Sequence, residues 1–227
     1  MTPLVLIPGM MCDARMWGGI DRRLGVSVLH HIPTQAETMS ALAALFLADA
    51  PPSFALAGLS MGGILAMEIL RQAPARVTRL ALLDTNPLAE TALAQSRRDP
   101  QIARALAGGL EEIMRHEMKP NYLVPGPDKA AVLDLCMAMA LDLGPQVFAS
   151  QSRALRDRGD QQATLAAFSG PALVLMGAED RLCPLDRHQL MHHLMPQSRL
   201  HILSGAAHLP PLEQPAATLR ALQNWLS

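Results

Sequence analysis

Aromatic side chains are scarce in this chain: two Trp, one Tyr and four Phe among 227 residues, against 14 Met. The interior must therefore pack on aliphatic and thioether groups, and any apolar pocket is adaptable. Cysteine is also sparse. Cys12, Cys136 and Cys183 are odd in number and lack a C-x-x-C spacing, which argues against a disulfide framework or a zinc knuckle and suits a reducing compartment. With a formal net charge of -1, the chain has no general attraction for nucleic acid or an anionic membrane.

Long apolar runs are missing as well. Residues 53–67 carry no charge, but the stretch is shorter than the ~20 residues that span a bilayer and is broken by glycine, so no membrane span is expected. The first residues, Met1 to Gly9, have no positive segment ahead of their short apolar run, unlike a signal peptide. A cytoplasmic, soluble protein is the expectation. Half of the residues are hydrophobic and 17% are charged, as in a globular chain of one domain with room for an insertion.

What is present is an alternation. Leu4–Ile7, Val26–Ile32, the run from Phe54, and Leu80–Asp84 read as strands. Glu37–Ala50 and the segment from Ile64 to Ala73 read as helices between them. Strand and helix in turn imply a parallel sheet covered on both faces. From about Leu88 to Arg158 only helical patterns occur, separated at Pro120, Pro125-Gly126-Pro127 and Gly144-Pro145. Ala172–Met176, Pro184–Leu194, Arg199–Leu203 and Leu212–Leu226 then restore the alternation. The expected division is a core of residues 1–87 and 159–227, with residues 88–158 as a helical lid or as a plain helical subdomain.

Between the third strand and its helix stands Gly58-Leu59-Ser60-Met61-Gly62-Gly63, a G-x-S-x-G motif. On so sharp a turn, side chains two residues either side of the serine would collide, and glycine removes them. A tight turn or a phosphate cradle has the same outline, although no G-x-G-x-x-G or G-x-x-x-x-G-K-[ST] accompanies it. A serine nucleophile needs a base, and the base needs a partner to fix its tautomer. In a parallel sheet these come from loops at the carboxyl ends of strands. Asp180, after the fifth predicted strand, and His208, after the last, sit in such loops. Asp84 is the second choice for the acid, and Asp180 could instead cap the helix from Pro184.

The order Ser60, Asp180, His208 resembles that of the α/β-hydrolase fold, and the resemblance covers nearly the whole chain. It implies about six mostly parallel strands flanked by helices, with Ser60 as nucleophile, His208 as general base and then acid, and Asp180 as the orienting acid. It also implies an oxyanion hole made by the backbone N–H groups of Met61 and Met10. The loop reads Pro8-Gly9-Met10 here, where relatives usually have His-Gly-x. Trp17 resembles the aromatic that often ends this loop, with core packing as its plainer role.

The activity implied is that of a cofactor-free serine hydrolase acting on a small-molecule ester or thioester, as in small esterases and enol-lactonases. C–C hydrolysis, a lyase step, acyl transfer, or a receptor with little turnover are the alternatives. His188, His192 and His193 share a helix without H-E-x-x-H, so a solvated face is expected there and no metal. Arg97, Arg98, Arg153, Arg156 and Arg158 give the insertion a basic character. A solvated face is the default for them, and an anionic acyl carrier or a carboxylate-bearing substrate is the alternative. Met114, Met118, Met137 and Met139 are expected in the core or along an acyl pocket.

Overall fold

The computed structural model describes residues 2–227. One sheet holds six strands in the order β2-β1-β3-β4-β5-β6. They are β1 Leu4–Ile7, β2 Val28–His30, β3 Phe54–Leu59, β4 Val77–Leu83, β5 Ala172–Gly177 and β6 Arg199–Leu203, and every pairing is parallel. β1, β3 and β5 are buried at every residue, which is why they read as continuous apolar runs. Strand alternation sends Leu4 and Leu6 into one apolar layer and Val5 and Ile7 into the other. The second strand is shorter than the expected Val26–Ile32, because β1 offers it only Leu4, Val5 and Leu6 as partners.

α1 (Met39–Asp49) and α2 (Met61–Gln72) cover one face. Thr38 caps α1, its hydroxyl accepting the Ala41 N–H at 3.1 Å. The insertion between β4 and β5 comprises α3 (Ala92–Arg104), α4 (Leu110–Ile113) and α5 (Lys129–Arg156), with π-helical turns at Ala105–Gly109 and Met114–Met118. By length and composition α5 could cross a membrane. Gly144, at φ 80° and ψ 174°, nevertheless breaks it into two helices, each shorter than the ~20 residues a span requires. Cys136, Met139 and Phe148 fasten the two halves to the core. Met114 and Met137 are buried with them, while Met118 lines a cavity that Ser60 also lines.

A short α6 (Gln162–Ala166) leads into β5, α7 (Leu185–Leu194) links β5 to β6, and α8 (Pro210–Glu213) and α9 (Pro215–Leu226) close the chain. The single closing helix expected over Leu212–Leu226 is split at Gln214 (φ -132°, ψ 59°), because Pro215 bars its predecessor from the helical region. Trp17 is fully buried, in the same second apolar layer as Leu222 and Trp225.

Candidate active site

Ser60 sits between β3 and α2 at φ 55° and ψ -117°, a conformation that L-residues rarely adopt. Its surroundings hold it there. The Ser60 N–H donates to the Leu83 carbonyl at 2.9 Å, and the Thr85 hydroxyl donates to the Ser60 carbonyl at 2.7 Å. Glycine is required on either side: a Cβ at Gly58 would lie 2.2 Å from the Gly62 carbonyl oxygen, and one at Gly62 would lie 2.2 Å from that of Ile7.

The turn aims the Ser60 hydroxyl at His208, with Oγ and Nε2 2.9 Å apart. On the far side of the ring, Nδ1 lies 2.9 Å from Asp180 Oδ2. With Nδ1 donating to the carboxylate, Nε2 is free to accept the serine proton. Asp180 Oδ1 accepts the Leu182 N–H at 2.8 Å and the Cys183 N–H at 3.2 Å. Burial pushes the Asp180 carboxyl up, but hydrogen bonding and charge from His208, together with the two amides, outweigh it and leave it below the ordinary aspartate value.

The loop carrying His208 is held from below by Glu213, a residue that sequence reasoning missed. Its carboxylate accepts N–H groups from Val124 (2.8 Å), Ala207 (2.9 Å) and Leu209 (3.1 Å). The His208 N–H donates to the Tyr122 carbonyl at 2.9 Å. The insertion therefore touches the site through its backbone as well as through Gln151, which accepts the Met11 N–H and donates to the Pro33 carbonyl, both at 2.9 Å.

Asp84, the other acid considered, is fully buried behind Asp180 at φ 44°. Oδ1 accepts the Gly177 N–H at 2.9 Å, whereas Oδ2 has no donor. Burial first, then the charge of Asp180, holds this carboxyl well above its ordinary value. Of these two carboxylates, His208 bonds to Asp180 alone.

Met10 and Met61 line the same cavity as Ser60 and His208, a space of about 310 Å³. Neither N–H has an acceptor among the described residues. Met61 opens α2, where the helix dipole favours negative charge. Asp180, Cys183 and His208 bring possible ligand atoms within 4.8 Å of one another. Both ring nitrogens of His208 are already engaged, so that cluster lacks a free imidazole donor.

Two surface expectations fail. His188 is completely buried, accepting the Thr85 N–H at Nε2 (3.3 Å), with Nδ1 3.2 Å from the Pro184 carbonyl. Burial depresses its pKa. Arg98 and Arg158 are likewise enclosed, sharing the Glu90 carboxylate. Arg153 and Arg156 do lie at the surface, paired with Glu37, Asp99 and Asp157. A shared buried carboxylate joins residues as far apart as 90 and 158, which no local pattern announces.

Comparison with known proteins agrees with this fold. The family model described as "Alpha/beta hydrolase family" matches residues 4–221. A pimeloyl-[acyl-carrier protein] methyl ester esterase of Photobacterium profundum is 26% identical over 203 residues, covering 87% of this chain and 80% of that protein. A thermophilic esterase from Thermogutta terrifontis superposes with a TM-score of 0.89 at 28% identity, covering 100% of this chain and 89% of the other. The enol-lactonase of Burkholderia xenovorans LB400 gives 0.87 at 20% identity over 99% of this chain and 91% of its own, a likeness of fold alone.

Proposed function

This chain belongs to the alpha/beta hydrolase family, and from that premise we propose that it is a serine hydrolase cleaving a carboxylic ester or thioester of a small to medium apolar acyl group. The observation that carries the reading is the unbroken contact from Ser60 Oγ through His208 to Asp180, two links of 2.9 Å at the wall of one cavity.

In this reading Ser60 passes its proton to His208 Nε2 as Oγ attacks the carbonyl carbon. The oxygen gains negative charge between the Met10 and Met61 N–H groups. As the intermediate collapses, His208 returns the proton to the departing alcohol or thiol, and an acyl-Ser60 ester remains. Water then attacks this ester, His208 takes its proton, and the acid leaves with Ser60 restored. Asp180 keeps the ring in the tautomer that both steps need and offsets the positive charge it gains.

A volume of about 310 Å³ lies at the small end of ligand cavities and supports a short acyl group. The insertion acts as the lid over this cavity, supported by the contacts of Tyr122 and Gln151 beneath it. An ester on an acyl carrier is the larger substrate to test, since relatives named as pimeloyl-[acyl-carrier protein] methyl ester esterases align over most of the chain. All three cysteines are free thiols, which supports a cytoplasmic location.

A panel of p-nitrophenyl and acyl-CoA esters of graded length tests the proposal. Turnover is expected on short chains and should fall as the acyl group outgrows the cavity, and Ser60→Ala should abolish it. If wild type turns over no member, or Ser60→Ala matches it, the proposal is wrong.

A further inference from the structure

Two arginines share one carboxylate on the wall of the Ser60 cavity. Arg98, from α3, sets Nε 3.0 Å and Nη2 3.2 Å from the two oxygens of Glu90. Arg158, just beyond α5, sets Nη1 2.9 Å from Glu90 Oε1 and donates from Nε to the Leu88 carbonyl at 3.0 Å. Their side chains are 17% and 9% exposed, and that of Glu90 is 7% exposed. All three line the cavity.

One anion does not balance two cations, so this wall carries a surplus positive charge largely withdrawn from water. The other acid on the cavity wall, Glu117, does not supply the balance. It is held at the rim by Arg104 at 2.6 Å and Gln101 at 2.8 Å. A buried cation without full compensation is costly, and folding does not retain one without an offsetting partner. Burial indeed pulls the Arg98 guanidinium below its ordinary value, with Glu90 only partly opposing.

The uncompensated end is also aimed. Arg98 Nη1 meets only the Met10 sulfur, at 3.9 Å, a weak acceptor. Met10 is the residue whose backbone N–H is assigned above to the oxyanion, so the free guanidinium edge stands one side chain away from the reacting carbonyl. A clamp joining the start of the insertion to its end needs Arg158, which already engages Glu90 and the Leu88 and Leu155 carbonyls. It does not need a second guanidinium with an edge left open.

We propose that the substrate carries a carboxylate, or an equivalent compact anion, beside the ester it presents to Ser60, and that Arg98, backed by Arg158 and Glu90, receives it. This inference rests on Ser60 being the nucleophile. Arginine suits the task, because its planar fork meets a carboxylate with two parallel hydrogen bonds. The anion can belong to the acyl part or to the alcohol part.

Matched ester pairs separate these sources. Mono-p-nitrophenyl glutarate against p-nitrophenyl pentanoate places the charge in the acyl group, and para-carboxyphenyl butyrate against phenyl butyrate places it in the leaving group. The readout is the ratio of kcat/KM within each pair. Wild type should favour the anionic member of at least one pair by about tenfold or more, the scale of one charged hydrogen bond. Arg98→Met should abolish that preference and Arg98→Lys should retain part of it. If Arg98 is only a clamp, its loss lowers both members together and leaves the ratio as it was. Should no ester be cleaved, the nucleophile assignment fails, and glutarate binding followed by calorimetry still reads the anion site: wild type should bind glutarate and Arg98→Met bind it about tenfold more weakly. No anionic preference in either pair, an unchanged ratio in Arg98→Met, or, in the binding arm, no glutarate bound by wild type or equal binding by Arg98→Met, overturns the proposal.

Discussion

Replacing Asp84 by Asn should make the protein more stable, and increasingly so as pH rises. The Asp84 carboxyl is fully buried, has one oxygen without a donor, and is held well above its ordinary value of 3.8 by burial and by Asp180. Above that value the unfolded chain releases this proton while the folded chain keeps it, so wild type loses stability with increasing pH. The loss is about 1.4 kcal/mol per pH unit for as long as the folded group stays protonated. Asparagine mimics the protonated acid. Its oxygen can accept the Gly177 N–H, its amide can donate to Asp180, and it tolerates the φ of 44°. Urea denaturation of both proteins from about pH 5 to about pH 7 should show the gap widening in favour of the variant. Other titrating groups are common to both proteins and largely cancel in the difference. A gap that stays constant over this range would show that Asp84 is ionised in the folded state and would refute the reasoning.

Asp180→Asn should leave the fold intact but cut kcat by roughly 10³–10⁴, because an amide facing Nδ1 favours the tautomer that points its proton at Ser60; steady-state kinetics on a p-nitrophenyl ester with circular dichroism checks both halves. Gly62→Ala should prevent normal folding, since its Cβ would fall 2.2 Å from the Ile7 carbonyl oxygen, and a soluble variant of wild-type Tm would contradict the packing described. Glu213→Ala strands three amides that anchor the His208 loop and should cost about 2–5 kcal/mol together with most of the turnover. Hydrogen exchange at Ala207 and Leu209 should accelerate in that variant.

Much of the sheet was legible because strands buried on both faces carry uninterrupted apolar runs, as in Leu4–Ile7 and Ala172–Gly177. Glycines at 58, 62 and 63 disclosed the sharp turn at Ser60 because each is needed where backbone or Thr85 approaches closely. The π-helical turns were hidden, since one extra residue per turn barely alters an apolar period. The five-residue α6 is too short to show a period at all. His188 looked like a surface residue because its partners, the Thr85 N–H and the Pro184 carbonyl, are backbone groups that no side-chain pattern marks. Glu213 and the trio of Arg98, Glu90 and Arg158 depend on contacts between distant segments, and charge alone could not separate Arg158 from the less buried Arg156 nearby.

The central claim is that Ser60 is a nucleophile activated through His208, and covalent labelling addresses it most directly. Wild type treated with a fluorophosphonate should gain one adduct by intact mass, mapped by peptide sequencing to Ser60, with Ser60→Ala unlabelled and His208→Ala labelled far more slowly. An unlabelled wild type, an adduct on another residue, or equal labelling of Ser60→Ala would contradict the account.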